Sequence, residues 1–135
     1  MKRTIAILLM LAMCISLSAC KGAGKTSNAV IDYGTSTVFS EAEIKSSVDA
    51  LLTKFKDFKG EELTKVWYDE NKSASEVEQY MSNGRGSQNG VLQENVIILY
   101  SVITSNGNER EWKWILIRDS ANDKWKVDDW GNIGL

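Results

Sequence analysis

The run Val96-Ile97-Ile98-Leu99-Tyr100 is apolar at every successive position. Side chains alternate across a strand, so both faces of this one need cover, and such a strand belongs in the middle of a sheet with a layer on each side. Just downstream, Asn106-Gly107 is the strongest short-range hairpin signal, a type I′ turn that requires φ > 0 at both positions. A two-residue loop there dictates the pairing: Ile98 faces Ile115 and Val96 faces Ile117. Val96, Ile98, Tyr100, Ile115 and Ile117 then share one face, while Ile97, Leu99, Trp112, Trp114 and Leu116 share the other. Lys124 to Trp130 closes an antiparallel meander. Its register leaves open which face receives Trp125 and Val127 and which receives Trp130.

The cover has to come from upstream. Ser40 with Glu43 forms a capping box, and Ile44, Val48, Leu51, Leu52 and Phe55 follow at the spacing of one helix face, with Gly60 as the expected stop. Leu63 to Tyr68 has the Val, Trp and Tyr density of a short strand. Ser73 with Glu76, or Ser75 with Glu78, predicts the start of a brief second helix carrying Val77, Tyr80 and Met81. Asn83 to Gly90 is glycine-rich and predicts a mobile loop. The expected fold is α+β: an N-terminal helix packed on a curved antiparallel sheet.

The other informative region is the start of the chain. Lys2 and Arg3 precede an apolar run from Ile5 to Leu17, the pattern of a signal peptide over 1–19. About 13 apolar residues at 1.5 Å each span roughly 20 Å, short of the ~30 Å hydrocarbon core, which argues against a spanning helix. Leu17-Ser18-Ala19-Cys20 resembles the bacterial lipobox. The resemblance implies cleavage before Cys20, a diacylglyceryl thioether and further fatty acylation such as palmitate on that cysteine, and a cell-membrane lipoprotein on the extracytoplasmic face. The alternative is plain secretion with Cys20 as a free thiol. One acyl chain binds a bilayer marginally, whereas two or more hold firmly. With Cys14 removed and Cys20 acylated, the processed domain has no thiol left for a disulfide.

Residues 20–38 read as the acylated cysteine and a flexible linker, and 39–135 as the globular domain. A linker of that length reaches roughly 23 Å on average, enough for the domain to reorient above the bilayer. Removal of 1–19 takes away two bases and no acid, leaving 14 basic and 18 acidic residues, a net charge of −4. An anionic leaflet would mildly repel such a domain.

Composition excludes several chemistries. There is no His, so the usual imidazole base and the commonest nitrogen ligand for metals are missing. The chain lacks the basic excess on which nucleic-acid binding rests. A calcium loop opened at Asp119 would place Ala121 at its third position and Lys124 where glycine is required, so no metal is expected. No G-x-S-x-G surrounds any serine, and Ser46 and Ser73 next to Lys45 and Lys72 point away from them on a helix. No cofactor is expected. Gly84, Gly86 and Gly90 follow no strand and precede no helix start of the phosphate-binding kind.

Trp112 and Trp114, with Trp130 and Arg118, carry the apolar body and sparse polar groups of a ligand site, and Tyr100 lies on the neighbouring strand. The competing reading is that these tryptophans are simply core, which is how a small domain without disulfides fills its volume. The order helix, strand, helix, meander looks like the cone-shaped NTF2-like and cystatin-like folds. The stretch Trp112-Lys113-Trp114-Ile115-Leu116-Ile117-Arg118-Asp119, with Trp125-Lys126-Val127-Asp128-Asp129-Trp130-Gly131 and Leu63-Thr64-Lys65-Val66-Trp67-Tyr68-Asp69, is similar to small bacterial lipoproteins of unassigned activity. The resemblance implies a non-enzymatic domain that binds a small molecule or an envelope protein. Two alternatives are a homodimer formed through an exposed sheet face, and an isomerase-like enzyme using Tyr68 or Tyr100 with a buried acid.

Overall fold

A computed structural model describes residues 22–132. The signal peptide and the acylation site at Cys20 lie outside the described residues. The order of elements is β1 (Val30–Asp32), α1 (Glu41–Phe55), β2 (Glu62–Trp67), α2 (Glu70–Asn83), α3 (Arg85–Asn89), a 3-10 turn at Gln93–Asn95, β3 (Val96–Ser105), β4 (Asn108–Ile117) and β5 (Lys126–Asn132). The strands form one sheet in the order β1-β2-β3-β4-β5. The class is α+β, and the sheet is mixed instead of wholly antiparallel, because β1 runs parallel to β2.

The central hairpin has the register that its turn demands: Val96 pairs with Ile117 and Ile98 with Ile115. Asn106 and Gly107 both take positive φ, 52° and 78°. One face packs against α1 through Ile44, Val48, Leu51 and Phe55, burying Ile97, Leu99, Ile103, Trp114 and Leu116. The other packs against α2 through Val77 and Tyr80, burying Val96, Ile98, Tyr100 and Ile115. The two-sided strand is therefore covered on both sides, as its composition requires. The tryptophan-bearing face, expected to form a ligand site or a dimer surface, is packed against α1 among the described residues.

α1 begins with the capping box: Ser40 N–H donates to Glu43 Oε2 at 2.7 Å and Glu43 N–H to Ser40 Oγ at 3.2 Å. It ends at Phe55, ahead of Gly60, which serves the following turn with φ 79°. The second helix starts earlier than its serines suggest. Asp69 caps it by accepting from Lys72 N–H at 3.1 Å, since a carboxylate satisfies the free amides of a helix start as well as a hydroxyl does.

β5 answers the open question of its register. A bulge opposite Ile115 and Leu116 makes Val127 pair with Leu116 and Asp129 with Ile115. The extra residue, Asp128, resets the alternation, so Trp125, Val127 and Trp130 all reach the α1 face. Asp128 itself accepts from Tyr80 Oη at 2.8 Å and Arg85 Nη2 at 3.3 Å. That clasp ties α3, in the stretch expected to be a mobile loop, to the sheet. Burial and the Asp128 carboxylate push the Tyr80 phenol up to about 12.

The stretch expected to be linker is the largest correction. From Gly22 onward it is laid along the fold as the edge of the sheet, where β1 pairs Val30, Ile31 and Asp32 with Lys65, Val66 and Trp67. Residues 22–25 are fastened to the α1–β2 turn: Gly60 N–H donates to Gly22 O at 3.0 Å, Gly24 N–H to Lys56 O at 3.1 Å, and Lys25 N–H to Glu61 O at 2.9 Å. A side chain at Gly24 would collide with the Phe55 carbonyl, so the close approach requires glycine.

Candidate functional site

Three of the residues proposed for the site come together and two do not. Trp114 is fully buried and its indole N–H donates to Ser101 Oγ at 2.8 Å. The rings of Trp112 and Trp130 lie 5.8 and 6.1 Å from it. Phe58 fills the space between them, edge-on to all three at 5.5–5.6 Å. Trp130 closes the cluster at its margin, 40% exposed, with Lys54 Nζ 5.3 Å above its ring. This is the packing of a core margin, with Phe58 among the three indole rings.

Arg118 sits at the opposite end of the same face, 5% exposed. Its guanidinium pairs with Glu43 at 2.9 Å, donates to Asn95 Oδ1 at 3.1 Å and to Ala121 O at 3.3 Å, and lies 4.3 Å over Trp125. It bolts together the start of α1, the 3-10 turn and the β4–β5 loop. Donation from the Ser40 amide, followed by Arg118, holds the Glu43 carboxyl below the usual range against the opposing effect of burial.

Tyr100 lies on the other face, fully buried and stacked on Trp67 at 5.8 Å, with Lys72 Nζ 4.3 Å over its ring. Burial raises its phenol pKa above the ordinary range, and the charges of Glu76 and Asp69 add to the effect. It is packed under α2 and separated by the whole sheet from the tryptophans.

An apolar concave site lies elsewhere. A pocket of about 360 Å³ opens between the start of α2, the end of β2 and the segment leading into α1. Phe39, Tyr68, Ala74, Val77 and Val96 form apolar walls, and Ser73, Glu70, Gln93 and Glu94 are the polar groups. Its size and lining match those of small-ligand sites. Burial raises the Tyr68 pKa, while the nearby Ser36 and Ser73 hydroxyls oppose that shift, so the phenol remains a neutral donor. Glu70 builds the rim. Its carboxylate accepts from Ser36 Oγ at 2.6 Å, from the amides of Thr37 at 2.8 Å and Val38 at 3.2 Å, and from Thr37 Oγ1 at 3.2 Å. These donors hold its pKa below the ordinary value. Val38, 63% exposed, stands at the mouth.

Of the pocket residues, sequence reasoning singled out only Tyr68 as a functional group. The others come from three separated stretches whose meeting is a product of the fold. Among the described residues no group of three or more His, Cys, Asp or Glu could hold a metal ion, and no helix is long and apolar enough to cross a membrane. No protein-family model matches this chain, nor does any curated protein or solved structure.

Proposed function

We propose that this chain is a lipid-anchored extracytoplasmic lipoprotein whose domain, of the NTF2-like or cystatin-like cone type, binds a small apolar ligand without converting it. The pocket walled by Phe39, Tyr68, Val77 and Val96 carries the binding half of the reading: apolar walls with the buried Tyr68 phenol and Ser73 hydroxyl among them suit a compact hydrophobic molecule with few polar groups. The anchoring half rests on the lipobox-like Leu17-Ser18-Ala19-Cys20. Glu70 supports binding over isomerase chemistry, because its carboxylate is filled by four donors and held ionised, the reverse of a base poised near neutrality.

The test is made on the acylated full chain. Wild type is expected to sediment with membranes and the Cys20→Ala variant to stay in the supernatant; equal sedimentation of both would refute the anchor. With 1-anilinonaphthalene-8-sulfonate as the probe, Ala74→Trp is expected to weaken dye binding by about tenfold or more. Ala74 lines the pocket from an exposed position on α2, so the unfolding midpoint should barely move. Undiminished dye binding in that variant would remove the pocket from consideration.

A further inference from the structure

Gly22, the first described residue, and the pocket are at opposite ends of the molecule, and the stretch of sequence from Cys20 to Gly22 is short. Gly22 is hydrogen-bonded to Gly60, and Gly24 and Lys25 to Lys56 and Glu61, so the first described residues are part of the α1–β2 turn. A single residue, Lys21, separates Gly22 from Cys20, a Cα–Cα span of at most about 7 Å when fully extended. A lipid on Cys20 therefore brings this end of the domain to the bilayer, where an eighteen-residue linker would have let it roam.

That end consists of the α1–β2 turn and the β3–β4 hairpin: Gly22, Lys25, Lys59 and Gly60 border one recess together with Asn106 and Gly107. Lys25, Lys56 and Lys59 are exposed there. Two of the neighbouring acids are already engaged, Asp57 by Lys54 at 3.2 Å and Glu61 by Arg110 at 2.6 Å. Glu62 in the recess and Glu109 on the hairpin work against this basic character without cancelling the three lysines. At the far end, exposed Glu41, Asp69, Glu94 and Asp123 outnumber Lys124, and Asp119 is engaged by Lys126 at 3.3 Å. The net negative charge of the processed chain is thus weighted away from the anchor, and the lysines face anionic headgroups.

We infer, given the anchoring proposed above, that the α1–β2 turn and the β3–β4 hairpin rest directly on the bilayer surface, so that the pocket opens outward to the aqueous phase. β3 runs from the pocket wall at Val96 to the hairpin at Ser105, ten residues that rise about 33 Å. The pocket is held that far from the headgroups. Its ligand is therefore taken from the extracytoplasmic solution, which excludes lipid drawn from the membrane beneath.

Energy transfer tests the stance. The acylated, processed full chain has no other free thiol, so single cysteines introduced as Asn108→Cys at the hairpin or Asn122→Cys at the opposite end take one donor dye each. Both positions are exposed. In vesicles of phosphatidylcholine and phosphatidylglycerol with a rhodamine-headgroup acceptor, transfer from position 108 is expected to exceed that from 122 several-fold. Lys59→Cys provides a second hairpin-end probe and should behave like 108. Equal transfer from both ends, with acylation of Cys20 established by intact mass, would overturn the fixed stance and restore a roaming domain; stronger transfer from 122 would overturn the orientation. No transfer from any position, with an unmodified Cys20, would instead refute the anchoring on which the inference rests.

Discussion

Trp114→Ala is expected to cost about 3–5 kcal/mol of folding stability, against roughly 1 kcal/mol for Trp130→Ala. The asymmetry follows from where the two rings lie. Trp114 is fully buried, is touched edge-on by Phe55 and Phe58, and satisfies Ser101 through its indole N–H. Truncating it opens a cavity in a layer made of large rings and leaves the buried Ser101 hydroxyl without its donor, and the two penalties add. Trp130 is 40% exposed, and its loss opens the margin to water. Urea unfolding of the two variants measures the difference: a much lower midpoint with an unchanged slope for Trp114→Ala, and a small shift for Trp130→Ala. Similar small shifts for both would mean that the tryptophans form a surface and not a core, and would revive them as a ligand platform. Trp114→Phe should fall between, since it keeps most of the ring volume and loses the bond to Ser101.

The tryptophans also show how far the sequence could be read. Alternation and one turn were enough to place Trp112 and Trp114 on the same face as Leu99 and Leu116, because both signals are local. Whether that face is open or filled is a different matter, since parity places side chains without saying what covers them. It is filled by Phe58, which continues the spacing of Ile44, Val48, Leu51 and Phe55 one step past the end of α1 and reaches the tryptophans from the turn that follows. Trp130 joins the cluster only because Asp128 bulges, which shifts parity by one residue and has no sequence signature of its own. β1 was missed because three residues are too few to show a period; its strand character comes from pairing with β2. Arg118 shares the parity of Trp112 and Trp114 but lies at the other end of the face, and parity says nothing about distance along a strand. Tyr100 falls on the opposite parity, as the hairpin register implies. The pocket was least legible of all, since Ser36 to Val38, Tyr68 to Val77 and Gln93 to Val96 converge only in three dimensions.

The bolt at Arg118 yields the second large effect, and there the weaker-looking substitution should do more damage. Glu43→Gln keeps the shape of the side chain and can keep the capping-box bond to the Ser40 amide, so it removes little besides the charge. The Arg118 side chain is 6% exposed, however, against 29% for Glu43. Neutralising the acid therefore leaves a buried guanidinium without its counter-ion, a change expected to cost about 3 kcal/mol. Arg118→Met removes the buried charge, keeps an apolar stem between Phe39 and Trp125, and leaves a carboxylate that water can reach, so it should cost less. The pair of substitutions together should recover part of the loss from Glu43→Gln, as a double-mutant cycle would measure. A costlier Arg118→Met would show that the bonds to Asn95 and Ala121 outweigh the ion pair.

The pH dependence follows from the same geometry. Because the Glu43 pKa is lower in the folded chain than in the unfolded one, its contribution is complete above the unfolded value and is lost as pH falls through the folded one. Wild type should therefore lose stability on acidification more steeply than Glu43→Gln, and the two unfolding curves should converge at the acid limit. Parallel curves across the whole range would mean that Glu43 contributes through shape alone.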